Sequence, residues 1–85
     1  MKEFSYVIKD ELGIHARPAG MLVKLAKNYE SNIEITKGEK TVGATQLLKL
    51  MGLGVKCGEE VKITIEGSDE EVAFQDMKKF FADNL

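Results

Sequence analysis

The sequence predicts an open-faced sandwich of the α/β (α+β) class: a four-stranded antiparallel sheet with three helices on one face, in the order βαββαβα. Two kinds of observation carry that prediction. Apolar residues alternate with polar ones in several stretches, the period of a half-buried strand. In others they recur every three or four residues, the period of a helix lying on a surface. The strand stretches also set Lys, Glu and Thr at alternate positions, so one sheet face meets water and the helices gather on the other.

Phe4, Tyr6 and Ile8 alternate with Ser5, Val7 and Lys9 in the first strand, which Asp10-Glu11-Leu12-Gly13 breaks. Ala19, Leu22, Val23 and Ala26 then share one face of a helix running from Ala16 to near Asn28. Ile33 and Ile35 alternate with Asn32, Glu34 and Thr36 in a second strand. Lys37-Gly38-Glu39 turns the chain into a return strand from Lys40 to Val42. Thr45 is the expected N-cap of a short helix from Gln46 to about Met51, ended by Gly52 and Gly54. Val55-Lys56-Cys57-Gly58-Glu59 reads as a loop, and Val61, Ile63 and Ile65 alternate with Lys62, Thr64 and Glu66 in the last strand. Ser68 with Glu71 predicts a capping box for the final helix, whose buried stripe is Ala73, Met77, Phe80 and Phe81.

Composition bounds the function. At 85 residues the chain is expected to form a single domain over positions 1–85. Twelve basic against fourteen acidic residues give a net charge of −2 with no basic run, so no nucleic-acid partner is expected. No apolar stretch approaches the ~20 residues that span a bilayer, so no membrane insertion is expected either. Cys57, the only cysteine, has no partner for an internal disulfide, which fits a reducing, cytoplasmic compartment. One histidine and one cysteine make no metal site, and neither a metal nor another cofactor is expected.

The chemistry concentrates in Gly13-Ile14-His15-Ala16-Arg17-Pro18-Ala19. His15, Arg17 and Pro18 are the only histidine, arginine and proline of the chain, and they sit together where a loop becomes a helix. With His15 at the N-cap, the backbone N–H groups of Ala16 and Arg17 lie in the first turn without intrahelical acceptors. Pro18 merely removes another donor that would be orphaned. Arg17 precedes a proline and is biased away from helical angles, so an irregular first turn is expected. An anion held here meets the positive helix end, free N–H donors and a forked guanidinium. A neutral imidazole is a nucleophile, and a phosphoryl group on it is the kind of anion such a place stabilises. A single histidine at a helix start is more often a cap or a surface residue; the conjunction of the three residue types favours chemistry.

This segment resembles the active-site signature of the HPr family, the histidine-containing phosphocarriers of the bacterial sugar phosphotransferase system. Lys37-Gly38-Glu39-Lys40 is similar to the family's hairpin, and Leu47-Leu48-Lys49-Leu50-Met51-Gly52-Leu53-Gly54-Val55 to its second helix and following turn. Gly58 through Gly67 resembles its last strand, so the likeness covers essentially the whole chain. The resemblance implies the same fold and a phosphoryl relay. Phosphoenolpyruvate phosphorylates enzyme I, enzyme I passes the group to Nδ1 of His15 with the help of Arg17, and His15 hands it to the IIA domain of a sugar transporter. The backbone of Ala16 and Arg17 would hold the phosphoryl group. The protein would thus be a monomeric carrier and a substrate of enzyme I, not itself an enzyme.

Leu47, Leu48 and Met51 belong to a short helix too apolar to bury all its side chains, so some are expected at the surface. The resemblance implies that this helix and the first form the docking face for partners, with Gly20, Lys24 and Lys27 on or beside it and the lysines steering encounter. Many relatives from low-GC Gram-positive bacteria carry a serine before the second helix that an ATP-dependent kinase phosphorylates. Gln46 stands there in this sequence and has no hydroxyl to modify. Rival readings are a regulatory HPr-like binding protein, a nitrogen-related paralogous relay, and an independent phosphatase using His15. His15 and Arg17 favour the carrier, and so short a chain offers no second catalytic group for a phosphatase.

Overall fold

The computed structural model describes residues 1–85. Its elements follow the expected order: β1 (Lys2–Val7), α1 (Ala16–Ala26), β2 (Asn32–Lys37), β3 (Lys40–Gly43), α2 (Leu47–Gly52), β4 (Glu60–Glu66) and α3 (Glu70–Asn84). The sheet runs β1-β4-β2-β3 with every neighbouring pair antiparallel. β4 therefore lies between β1 and β2, and its alternation reflects one face turned to the core and the other to water. Val61, Ile63 and Ile65 are buried, whereas Lys62 and Glu66 face water. The registers Phe4↔Ile63 and Ile35↔Ile63 line the apolar residues of three strands into one row on the helical side. β2 and β3 are joined by a two-residue turn opening on Gly38 at φ 61, the left-handed value that the first position of such a hairpin requires.

The core is one cluster of 19 buried hydrophobic residues between sheet and helices. α1 contributes Ala19, Leu22 and Ala26, α2 contributes Leu50, and α3 contributes Ala73, Met77, Phe80 and Phe81. Phe81 packs edge-to-face on Phe4, Tyr6 and Phe80, with ring centroids 5.9, 5.6 and 6.0 Å away.

The helix ends differ in detail from expectation. α1 closes at Ala26, with Lys27 as its C-cap, and shorter turns carry the chain on through Asn28 and Tyr29. It is regular from Ala16 onward despite the proline after Arg17. Gln46, not Thr45, caps α2: Leu50 N–H bonds the Gln46 carbonyl at 2.8 Å, while the Gln46 side-chain oxygen accepts the Gly43 N–H at 3.1 Å. The Ser68–Glu71 capping box does not form. Ser68 Oγ donates to Glu30 at 2.9 Å, Glu71 pairs with Lys2 at 2.9 Å, and Glu70 takes the backbone N–H of Gly67. Asp69 becomes the N-cap residue, and its carboxylate reaches across to the loop before β2, accepting the N–H groups of Glu30 and Ser31 and the Ser31 hydroxyl. A carboxylate offered three donors there outcompetes local capping by a neutral hydroxyl.

Candidate functional site

The loop between β1 and α1 is tied down at both ends before it reaches His15. Lys9 and Asp10 donate their backbone N–H groups to the backbone oxygen of Leu85 at 2.5 and 2.8 Å. Asp10 closes a turn on itself: its carbonyl accepts Gly13 N–H at 2.9 Å, and its Oδ1 accepts Leu12 N–H at 2.8 Å. Gly13 follows at φ 69, and Ile14, with its side chain buried, donates its N–H to the Val55 carbonyl at 3.1 Å. His15 then emerges as the N-cap of α1 in extended conformation, φ −97 and ψ −179, with its carbonyl accepting Ala19 N–H at 3.0 Å.

The first turn of α1 is vacant of protein acceptors. His15 makes no side-chain cap hydrogen bond, and the N–H groups of Ala16 and Arg17 have no acceptor anywhere in the protein. No acidic residue occupies this turn. The Arg17 guanidinium is exposed and enters none of the ion pairs. Helix dipole, two free N–H donors and an uncommitted guanidinium thus converge beside the imidazole. An open depression of about 360 Å³ covers this region, lined by Asp10, His15, Arg17, Pro18, Met21 and Asn84. It is open to solvent, which suits a group presented by another macromolecule. No cluster of three or more His, Cys, Asp or Glu side chains comes together as a cation site.

Asp10 is the residue that sequence reasoning missed. Its Oδ2 lies 3.6 Å from His15 Nε2, with both side chains about a third exposed at 29% and 32%. The available signal was a carboxylate in the loop that precedes the histidine, but its direction depends on how that loop closes.

The residues expected to dock partners lie on α1 and α2, two helices in contact with each other. Gly20, Lys24 and Lys27 are on α1 or at its C-cap, and space above Gly20 is open. On α2, Leu48 is 84% exposed, Leu47 39% and Met51 38%, while Leu50 alone is buried. Met21 on α1 is also exposed; it lines the His15 depression and, with Lys24, a groove against Phe80 of α3. The turn that leaves α2 is held by Lys37. Its Nζ reaches the carbonyls of Leu53 and Gly54 at 3.5 and 3.1 Å and Glu59 at 3.0 Å. Glu59 also accepts the Lys56 N–H at 2.7 Å; that bond first, and Lys37 second, hold its carboxyl below the usual range. Since Val55 in the same turn accepts the Ile14 N–H, α2 and the His15 loop are mechanically joined.

Known proteins resemble this chain over nearly its whole length. The family model PTS-HPr, described as the PTS HPr component phosphorylation site, matches residues 2–83. The chain is 37% identical over 83 residues to the phosphocarrier protein HPr of Mycoplasma capricolum subsp. capricolum, covering 98% of this chain and 93% of that one. It is 41% identical over 75 residues to HPr of Lysinibacillus sphaericus, covering 88% and 85%. Its fold is similar to the solved structure of a histidine-containing phosphocarrier protein from Mycoplasma, with a TM-score of 0.93 at 36% identity over 96% of this chain and 93% of the other. With likeness of sequence and of fold both running nearly end to end, the chain belongs to the HPr family of phosphocarrier proteins of the phosphotransferase system.

Proposed function

We propose that His15 carries the phosphoryl group, accepting it from phosphorylated enzyme I and passing it to IIA domains of sugar transporters. The observation that carries this reading is the vacant first turn of α1: two free N–H groups and the unpaired Arg17 guanidinium beside an accessible imidazole. In the incoming transfer the lone pair of Nδ1 bonds to phosphorus as the donor's bond to phosphorus breaks and its electron pair returns to the donor. In the outgoing transfer the acceptor's lone pair bonds to phosphorus as the P–Nδ1 bond breaks and its pair returns to Nδ1. The Ala16 and Arg17 N–H groups and the guanidinium then face the phosphoryl oxygens, stabilising charge in the transition state and in the adduct. The surrounding surface is open to solvent, so the second reactant's own protein must complete the site and exclude water. Leu47, Leu48 and Met51, with Gly20, Lys24 and Lys27, supply the face on which enzyme I and the IIA domains dock in turn. Gln46 has no hydroxyl, so control by phosphorylation at that position is absent from this reading.

Intact mass after incubation with phosphoenolpyruvate, with and without enzyme I, tests the proposal on wild type and His15→Ala. The expected result is one acid-labile phosphoryl group that requires both enzyme I and His15. No uptake by folded wild type, alongside an enzyme I active on another acceptor, would overturn it. Arg17→Ala should keep the fold and slow transfer.

A further inference from the structure

We infer that Asp10 is a positioning residue for the His15 imidazole, fixing its proton on Nε2 and so leaving Nδ1 as the free nucleophile. This rests on His15 being the phosphoryl acceptor. Three features of the loop support it. The Asp10 backbone is anchored on both sides, its N–H to the Leu85 oxygen and its carbonyl to the Gly13 N–H. Its Oδ1 is committed to the Leu12 N–H at 2.8 Å, which leaves Oδ2 as the oxygen directed at the ring. That oxygen stands 3.6 Å from Nε2, outside hydrogen-bond range but close for a charge beside a ring N–H, and such contacts tighten in the reacting complex. No other carboxylate pairs with the ring.

A neutral imidazole holds one proton, and the tautomer decides which nitrogen can attack. A carboxylate facing Nε2 favours the proton there, as carboxylates do behind nucleophilic or metal-binding imidazoles. The electron balance uses the same contact. When Nδ1 bonds to phosphorus, the ring keeps its Nε2 proton and gains formal positive charge, which the Asp10 carboxylate offsets. When the group leaves, the pair returns to Nδ1 and the ring is neutral again. Asp10 thus acts on both halves of the relay without touching the phosphoryl group.

Asp10→Asn isolates the effect. An asparagine oxygen keeps the turn to Leu12, and its NH₂ then takes the place of Oδ2 and presents a donor to Nε2, favouring the tautomer in which Nδ1 is blocked. Imidazole ¹⁵N NMR on the full chain reads the tautomer without any partner. Single-turnover transfer from phosphorylated enzyme I reads the chemistry. The expected result is a predominantly Nε2–H ring in wild type, a shift toward Nδ1–H in Asp10→Asn, and transfer about tenfold slower with little change in KM. The loss is smaller than in buried triads because solvent screens this contact. Unchanged tautomer populations, or transfer as fast as wild type, would overturn the inference. The NMR result decides the Asp10–His15 coupling even if wild type takes no phosphoryl group, an outcome that would overturn the carrier reading instead.

Discussion

Gly13→Ala tests whether the His15 loop is set by its contact with the turn after α2. An added Cβ would stand 2.1 Å from the Val55 oxygen and 2.9 Å from Lys56 Cα, both backbone atoms with no side-chain freedom to give way. Reaching ordinary van der Waals distance forces the two segments apart by more than about 1 Å. That separation breaks the Ile14 N–H bond to the Val55 carbonyl, now 3.1 Å long. The left-handed φ costs about 1–2 kcal/mol for alanine, and the orphaned, buried N–H about 1–3 kcal/mol more. A stiffer unfolded chain offsets under about 1 kcal/mol. The net expectation is about 3 kcal/mol, which lowers Tm by about 15 °C in a domain of this size.

Gly38→Ala is the control, because Gly38 has nearly the same φ, 61 against 69, but nothing within 4 Å of an added Cβ. It should lose only the conformational part, about 1 kcal/mol. Urea unfolding followed by circular dichroism, with unchanged m-values, measures both. If the two variants are destabilised equally, within about 0.5 kcal/mol, the contact between Gly13–Ile14 and Val55 is not what holds the loop. Gly13→Ala should also accept phosphoryl groups more slowly at temperatures where it is folded, whereas Gly38→Ala should match wild type.

Leu48→Asp should leave stability within about 0.5 kcal/mol, because the side chain is exposed, yet weaken binding to enzyme I about tenfold by titration calorimetry. Leu50→Ala should cost about 2–4 kcal/mol in chemical denaturation, since Leu50 is the buried anchor of α2. Lys37→Met should lower stability by about 1 kcal/mol and speed amide hydrogen exchange in α2, having lost the bonds to the Leu53 and Gly54 carbonyls. Asp69 is held below the usual carboxyl range, first by the Ser31 hydroxyl and then by the Glu30 N–H. A depressed folded value means that its contribution is present above the unfolded carboxyl range and lost as pH falls below about 4. Asp69→Asn should therefore melt lower than wild type at pH 7, with the gap narrowing toward pH 3 in thermal scans.

The sheet was legible because its pattern is local. Val61, Ile63 and Ile65 alternate without interruption, and Gly38 marks the hairpin by a conformation that other residues resist. His15 and Arg17 were legible because scarce residue types sat at a recognisable helix start. The caps were not. Asp69 takes its partners from Glu30 and Ser31, far away in sequence, so a local rule selected Ser68 and Glu71 instead. Asp10 escaped notice for the same reason: its role depends on a turn pinned by Leu12, Gly13 and Leu85. On α2, the surplus of apolar residues was visible, but only packing distinguishes buried Leu50 from exposed Leu48.

α2 has six residues, too few to persist alone, and the structure anchors it through one leucine within the helix and through Lys37 of β2, which holds the carbonyls just beyond its end. Leu48, at 84% exposed, is consequently almost free of any duty to the core, whereas Leu47 and Met51 remain partly covered. Substitutions at Leu48 can be sampled, by drift or in a library, at little cost to folding, while Leu50 and the Ile14–Val55 bond keep α2 and the His15 loop in register. A scaffold partitioned in this way can be given new partners without re-engineering its chemistry, which makes it a ready starting point for insulated phosphoryl circuits that share one cell.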